Sequence, residues 1–496
     1  MEGSYKKLFI GGDLSGIQSF LYNISSKKAA VSLKGRSYYL QQYMENTSNR
    51  IRETVEAAGA SFTDIIYCSG GKFYMLTDYS EQITESVDRC VAEIKENLWK
   101  EHMGQLGINI CYVPFTENPD GTVDTIDYVH QEPGCLWNIV NSGFYKQKNQ
   151  KFKDVLTANY REMFEPIRVG GKPKICAVTG IESPDCVKMN VDEEEDKYVL
   201  PSVRQQIQLG EELRRLQHFK TFEEYADNTD LGILRMDLDN LGKRFVEGFV
   251  SIQQYKVFSK RLVEFFENDV DQIRKSPEFI DYLNIIYAGG DDLFVVGRWD
   301  KTIEFAERIQ KEFSKKFQKD GLSISGGIAV VHPKYPIAKS AELAGKAEDA
   351  AKQFIFNDVE KNAFHFLGKT VSWDKEFDYV KSYQQQFVCL ISEYGLSKGI
   401  LHKLMLYSSV ADQNKINKRE GKPEDFSYIW HISYYLTRFI NRYKEDNKVV
   451  CDFCRQLRDK DIDYHHGRNL ELIALAARWA ELILKDDLQI TKNSII

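Results

Sequence analysis

The stretch Asn284-Ile285-Ile286-Tyr287-Ala288-Gly289-Gly290-Asp291-Asp292-Leu293-Phe294-Val295-Val296 decides how this chain is read. Two short apolar runs flank Gly-Gly-Asp-Asp, the pattern of a β-hairpin. Glycines at the tip tolerate positive φ and let a ligand approach the backbone. Asp291 and Asp292 place two carboxylates side by side at an exposed turn, where they repel. A divalent cation compensates that repulsion, because hard cations take carboxylate oxygens. Gly-Gly-Asp-Asp is also good turn chemistry in its own right, so the hairpin alone leaves a metal site and a plain turn both open.

A second stretch narrows the choice. Leu231-Gly232-Ile233-Leu234-Arg235-Met236-Asp237-Leu238-Asp239-Asn240-Leu241-Gly242 reads as an apolar strand ending in carboxylates. On an extended backbone Asp237 and Asp239 project to one side. A helical segment follows from Ser251 to Lys275, then the hairpin. Strand, helix and hairpin, with acids on the first strand and at the turn, is the order of a polymerase or cyclase palm. Palm carboxylates hold two Mg²⁺ (or Mn²⁺) ions about 4 Å apart, one activating a hydroxyl and one steadying a triphosphate. Asp237, Asp291 and Asp292 are the expected metal and catalytic residues.

The same order occurs earlier in the chain. Lys7 to Asp13 reads as a strand, Lys34 to about Ala58 as a helix, and Ile65 to Leu76 as a hairpin around Ser69-Gly70-Gly71-Lys72. A helix from Glu81 to Lys100 and a strand from Ile108 to Phe115 complete it. Both copies read β-α-β-β-α-β, an internal repeat, since Thr302 to Lys319 is helical and Leu322 to Val331 a strand. Lys72 stands where the second copy has acid, so the first copy is expected to be a scaffold without a metal. Lys34, Arg36 and Lys72 are candidates for a phosphate-binding face. Between the copies, Cys176 and Cys186 resemble half of a zinc site. Thr179 takes one expected cysteine place, and no zinc is expected. The acidic run Asp192 to Asp196 reads as a solvated loop. Cys451-Asp452-Phe453-Cys454 stands alone in a helical setting and reads as packing cysteines.

Composition bounds the rest. The 496 residues carry a net charge of −7, so this is not a free-standing basic nucleic-acid binder. No apolar run reaches the roughly 18 residues of a membrane span. The start reads directly into a strand, and the nine cysteines are scattered, so a reduced cytoplasmic protein is expected. The fold class expected is α+β: two ferredoxin-like palm domains of the GGDEF/cyclase type, with a linking domain and a C-terminal helical domain. The boundaries read 1–120 for the first palm, 121–225 for the linker, 226–374 for the second palm and 375–496 for the amphipathic helices.

The motifs together resemble a known family. Gly12-Asp13-Leu14-Ser15-Gly16-Ile17-Gln18-Ser19-Phe20, Lys34-Gly35-Arg36-Ser37-Tyr38-Tyr39-Leu40 and Ser69-Gly70-Gly71-Lys72-Phe73 are similar to the first palm of the large subunit of CRISPR type III effector complexes, the two-palm cyclic oligoadenylate synthase. Asp237 to Gly242, Gly289 to Phe294, Ser323 to Gly327, Ala350-Ala351-Lys352, and Lys361-Asn362-Ala363 leading to Gly368 and Trp373 are similar to its second palm. The opening is closer to the Csm-type than to the Cmr-type subgroup.

The resemblance implies an RNA-guided antiviral subunit. Target RNA pairing with a guide would switch on the second palm, which would join ATP by 3′–5′ linkages into a cyclic messenger. It implies Gly289, Gly290, Asp239 and Lys352 as nucleotide-binding residues, with Lys352 on the triphosphate; Gly326, beside Gly327 on a strand of small residues, reads as admitting either a nucleotide base or a neighbouring helix. The implied partners are guide RNA, target RNA, and other type III subunits, including the small subunit and the one that binds the guide 5′ end; no membrane is involved. Family members often begin with a His-Asp nuclease domain. No His-Asp dipeptide occurs here, and DNase activity is not expected. Two other readings share the motifs: a stand-alone nucleotide cyclase, against which two palms in one chain argue, and a non-catalytic scaffold, against which the intact acids argue.

Overall fold

The structure is a computed structural model that describes residues 5–24, 28–102, 104–153, 155–157, 160, 174–190, 196–443, 447–462 and 468–493, with side chains to 486. Lys172, Pro173, the run from Asp192 to Glu195 and the pair His465-His466 lie outside the described residues. The chain is mixed α/β and divides into two compact units. One comprises Met1–Ile324 and Val331–Gly345, the other Ser325–Val330 and Lys346–Ile496. Among the described residues no helix is long and apolar enough to cross a membrane.

In the first unit, β1 (Lys7–Ser15), β2 (Thr63–Ser69), β3 (Lys72–Asp78), β4 (Gly107–Glu117) and β5 (Val123–Asp124) form a sheet in the order β2-β3-β1-β4-β5. β1 lies antiparallel between β3 and β4, and every residue from Leu8 to Leu14 is buried. Such a run without polar alternation belongs to a strand covered on both faces. Helix Gly134–Lys148 covers one side through Trp137, whose ring centroid is 4.5 Å from Phe9 and 3.8 Å from Tyr255.

The long helix Ala29–Ala57 starts five residues before Lys34, where the motif reading began it. It crosses helix Pro201–Gln217 backbone to backbone. A Cβ on Gly35 would sit 2.0 Å from the Gln206 carbonyl, and one on Gly210 2.1 Å from that of Val31. Between the copies, β6 (Val187–Asn190) and β7 (Asp196–Val199) form a hairpin. Beside it Cys176 and Cys186 pack as free thiols in an apolar cluster with Val199, Val203 and Ile207.

The second copy contributes β8 (Leu231–Leu238), β9 (Leu283–Gly289) and β10 (Asp292–Arg298) to the same unit, with β10 between the other two and antiparallel to both. β8 and β9 are joined by helix Ile252–Glu264, a π-helical turn Phe265–Asp269 and helix Val270–Arg274. Helix Trp299–Phe317 follows β10 and buries Ile303, Ala306, Ile309, Phe313 and Phe317, the spacing of one apolar face. The two hairpins share a detail: register shifts between Ile65 and Tyr67 in β2, and between Ile285 and Tyr287 in β9.

In the second unit, Ser325–Val330 of β11 (Ile324–Val331) run parallel to β14 (Ala363–Phe366), which pairs with β15 (Lys369–Ser372). β12 (Ile355–Phe356) and β13 (Val359–Glu360) form a small hairpin. Gly327 packs on helix Ile337–Lys352, where a Cβ would meet the Ala347 carbonyl carbon at 2.3 Å. Helices Asp378–Ser392, Gly399–Arg419, Ser427–Tyr443, Lys448–Gln456 and Arg468–Asn493 follow, as the amphipathic pattern implies. Cys451 and Cys454 are buried packing residues.

Candidate functional site

Strand register builds the site. Asp292 stands directly opposite Asp237 across the β8–β10 ladder, and their carboxylates bring oxygens within 4.8 Å of one another. The first copy repeats this geometry with different chemistry: Asp13 on β1 stands opposite Lys72 on β3. Asp13 is 4% exposed, and Lys148 Nζ lies 2.7 Å from its carboxylate. The buried acid of the first copy is therefore paired with the Lys148 ammonium and stands opposite Lys72, where the second copy presents acid to acid.

The ladders also correct the alignment of the turns. Ser69 pairs with Lys72 and Gly289 with Asp292, so Ser69-Gly70-Gly71-Lys72 corresponds to Gly289-Gly290-Asp291-Asp292. Matching Gly-Gly to Gly-Gly by eye is out by one residue. Nor is the Gly289–Asp292 turn exposed, as the sequence reading had it. Gly289 and Gly290 are buried because the two turns abut: a Cβ on Gly70 would lie 2.8 Å from Gly290 Cα, and the converse distance is the same. Both positions have positive φ, 59° and 71°, which glycine adopts without strain.

Asp237, Asp291, Asp292 and Gly289 line a cavity of about 970 Å³ together with Asp13 and Lys72 of the first copy and Lys148 at the end of helix Gly134–Lys148. The expected acids are thus brought together with cationic groups that suit a polyanion. The facing donors of Asp237 and Asp292 are carboxylate oxygens, which fit a hard divalent cation such as Mg²⁺, and Asp291, the third expected ligand, lines the same cavity. Burial, then the charge of Asp291, holds the Tyr67 phenol well above its ordinary value.

Asp239 and Arg36 lie elsewhere. β8 ends at Leu238, so strand alternation does not carry through to Asp239. That carboxylate is 1% exposed and accepts a hydrogen bond from the Ser323 hydroxyl at 2.7 Å, and it is not among the cavity's lining residues. Arg36, a candidate for a phosphate-binding face, points inward instead. It is 1% exposed and donates to the carbonyls of Phe20 and Asn23.

Lys34 does line the cavity, but it donates to the Ile285 carbonyl at 2.7 Å. Burial and the Arg274 charge bring its pKa down to about 8. Gly326 pairs with Phe364 in the second unit. Lys352, in the same unit, lies 2.8 Å from Glu348, one turn earlier on its helix. Sequence reasoning missed Lys148, Ser69 and Glu267. Only Ser69 carried a signal, its place beside a Gly-Gly turn. The other two reach the cavity from helices distant in sequence.

A family model described as Cas10/Cmr2, second palm domain, matches residues 230–364, and one described as Csm1 subunit domain B matches residues 6–166. The CRISPR system single-strand-specific deoxyribonuclease Cas10/Csm1 (subtype III-A) of Enterococcus italicus is 28% identical over 419 residues, 71% of this chain and 53% of that protein. Its Mycobacterium tuberculosis counterpart is 27% identical over 453 residues, 73% of this chain and 54% of that protein. The chain spans about half the length of these curated relatives.

Among solved structures, a Csm1–Csm4 cassette in complex with cA4 has a TM-score of 0.62 at 18% identity, over 95% of this chain and 70% of that one. The cassette with one ATP gives the same four values. With two family models matched in chain order over residues 6–166 and 230–364, and such relatives across nearly three quarters of its length, the chain belongs to the Cas10/Csm1 family of type III CRISPR large subunits.

Proposed function

We propose that the chain is a cyclic oligoadenylate synthase within an RNA-guided type III complex, built on two ferredoxin-like palms with a linking and a helical domain. The second palm joins ATP by 3′–5′ nucleotidyl transfer after target RNA binds. One observation carries this reading: Asp237 and Asp292 face each other in register at a cavity that also holds Asp291, Lys72 and Lys148. That similar Csm1–Csm4 structures contain ATP, cA3 or cA4 supports the same ligand class here.

Asp237, Asp291 and Asp292 are the residues that would hold Mg²⁺ or Mn²⁺. When bound, the metal supplies an activated ribose hydroxyl and charge neutralisation at the reacting phosphate. The chain's own groups do the rest. Lys72 of the first palm attracts and orients the triphosphate, and the cavity walls limit access of water. Lys352 and Gly326 are assigned to nucleotide binding, and zinc to no role. The proposed partners are guide and target RNA, the subunit matching Csm4, and a small subunit. The relatives are named for single-strand DNA cleavage; no such activity is assigned to these residues, and incubation of the purified chain with single-stranded DNA and Mn²⁺ should leave the DNA intact.

The test of this reading is the double substitution Asp291→Ala with Asp292→Ala in the assembled complex. Product should vanish while assembly and RNA binding persist. Synthesis surviving in that variant would remove the second palm from the chemistry.

A further inference from the structure

The two abutting turns differ at one informative place. Ser69 in the first palm corresponds to Gly289 in the second, and there the pseudo-symmetry breaks. The Gly290 N–H donates to Ser69 Oγ at 2.9 Å, and the Ser69 hydroxyl donates to Glu267 Oε1, also at 2.9 Å. The direction is fixed, because an amide N–H can only donate. The hydroxyl hydrogen is therefore left for the carboxylate. A side chain on Gly289 would collide with this serine, since a Cβ there would lie 2.9 Å from Ser69 Oγ.

Glu267 sits on the π-helical turn Phe265–Asp269, where the helix Ile252–Arg274 departs from regular winding. Single π-turns inside helices recur at functional sites, because the extra residue re-aims a side chain. Glu267 is half-buried and lines the same cavity as the acids, and burial raises its pKa. The relay Glu267–Ser69–Gly290 thus runs from the second palm's own helix, through the first palm's turn, to the N–H of Gly290, the residue before Asp291.

We propose that Ser69 and Glu267 are positioning residues: the first palm, which carries Lys72 in place of a catalytic acid, serves as a clamp on the turn bearing Asp291 and Asp292. Three neighbouring carboxylates repel one another, and the turn between them has a glycine at its tip. Holding the Gly290 amide fixes where Asp291 and Asp292 point. This inference rests on the proposed nucleotidyl transfer, and it gives the first palm a duty in it beyond scaffolding.

The test compares Ser69→Ala, Glu267→Ala and Glu267→Gln in the assembled complex, with Lys256→Met as control. Lys256 pairs with Asp64 across the same two palms, away from the turns. Ser69→Ala and Glu267→Ala should lower kcat by about ten- to a hundredfold, the scale of a small misplacement of reacting groups, with KM for ATP little changed. Both should weaken Mn²⁺ binding, followed by its paramagnetic resonance signal, and speed hydrogen exchange at the Gly290 amide. Glu267→Gln keeps the acceptor oxygen and should recover most of the rate. Lys256→Met should match the unsubstituted protein in kcat and Mn²⁺ affinity. Unchanged kcat and Mn²⁺ affinity in both alanine variants would overturn the clamp. An equal loss in Lys256→Met would overturn it too, by reducing it to general adhesion between palms. If the unsubstituted complex makes no product, the proposed function fails separately, and the clamp is then decided by Mn²⁺ affinity and Gly290 exchange alone.

Discussion

At the scale of single residues, chemistry depends on which side chains share a face. The sequence reading placed Asp237, Asp291 and Asp292 together, and strand register brings them to one cavity. It grouped Asp239 with them on the assumption of a longer strand, and the strand stops one residue short. Lys148 and Glu267 could not have been found this way, because nothing local marks a lysine or glutamate on a helix as cavity-lining. Lys352 is the residue where two readings still diverge in outcome. As a triphosphate ligand, Lys352→Ala should cost roughly 2–3 kcal/mol of transition-state stabilisation, about thirty- to a hundredfold or more in rate. As a lysine at a helix C-terminus it contributes only about 0.3–1 kcal/mol of stability, and turnover at limiting ATP would be unchanged.

His102 gives a pH prediction at the same scale. It is 3% exposed, contacts the Tyr39 hydroxyl at 2.8 Å, and is depressed to about 4, first by burial and then by the Arg36 charge. A histidine kept neutral in the folded chain is protonated sooner in the unfolded one. Stability is therefore fully present above about pH 6.5 and falls toward pH 4, by on the order of 3 kcal/mol. Urea titrations across that window should show His102→Gln with a shallower loss; an identical pH slope would contradict the assignment.

At the scale of elements, periodicity made most helices and hairpins legible, because burial of one face writes a repeat into the chain. What it could not reveal were contacts between distant elements. Gly35 looked like part of a motif, yet its backbone is pressed against helix Pro201–Gln217. Gly35→Ala should force these helices apart and cost about 1–3 kcal/mol; an unchanged denaturation midpoint would mean the crossing adjusts freely. The helical part of the second unit depends on a different device. Arg468 donates to both Glu376 oxygens, at 2.7 and 2.6 Å, and Glu376 is 4% exposed. Arg468→Ala leaves that carboxylate buried and unmatched by its arginine, and should cost about 3–5 kcal/mol. Arg468→Lys should restore only part of this, since a point charge cannot reproduce a two-toothed contact.

At the scale of the molecule, the repeat was the most informative feature of the sequence and also the most easily misaligned. Two copies with the same register, bulge and turn hold opposite chemistry: acid facing acid in one, and acid facing lysine in the other. That asymmetry is why a single catalytic centre is proposed where the fold offers two. The claim is tested most directly by the product. The assembled complex, given ATP and Mg²⁺ and then target RNA matching its guide, should release oligoadenylates whose masses correspond to closed rings without terminal phosphates, and whose linkages are cut by a 3′–5′-specific nuclease. If ATP is returned unchanged, or converted only to ADP, the account of this chain as a cyclic oligoadenylate synthase is contradicted.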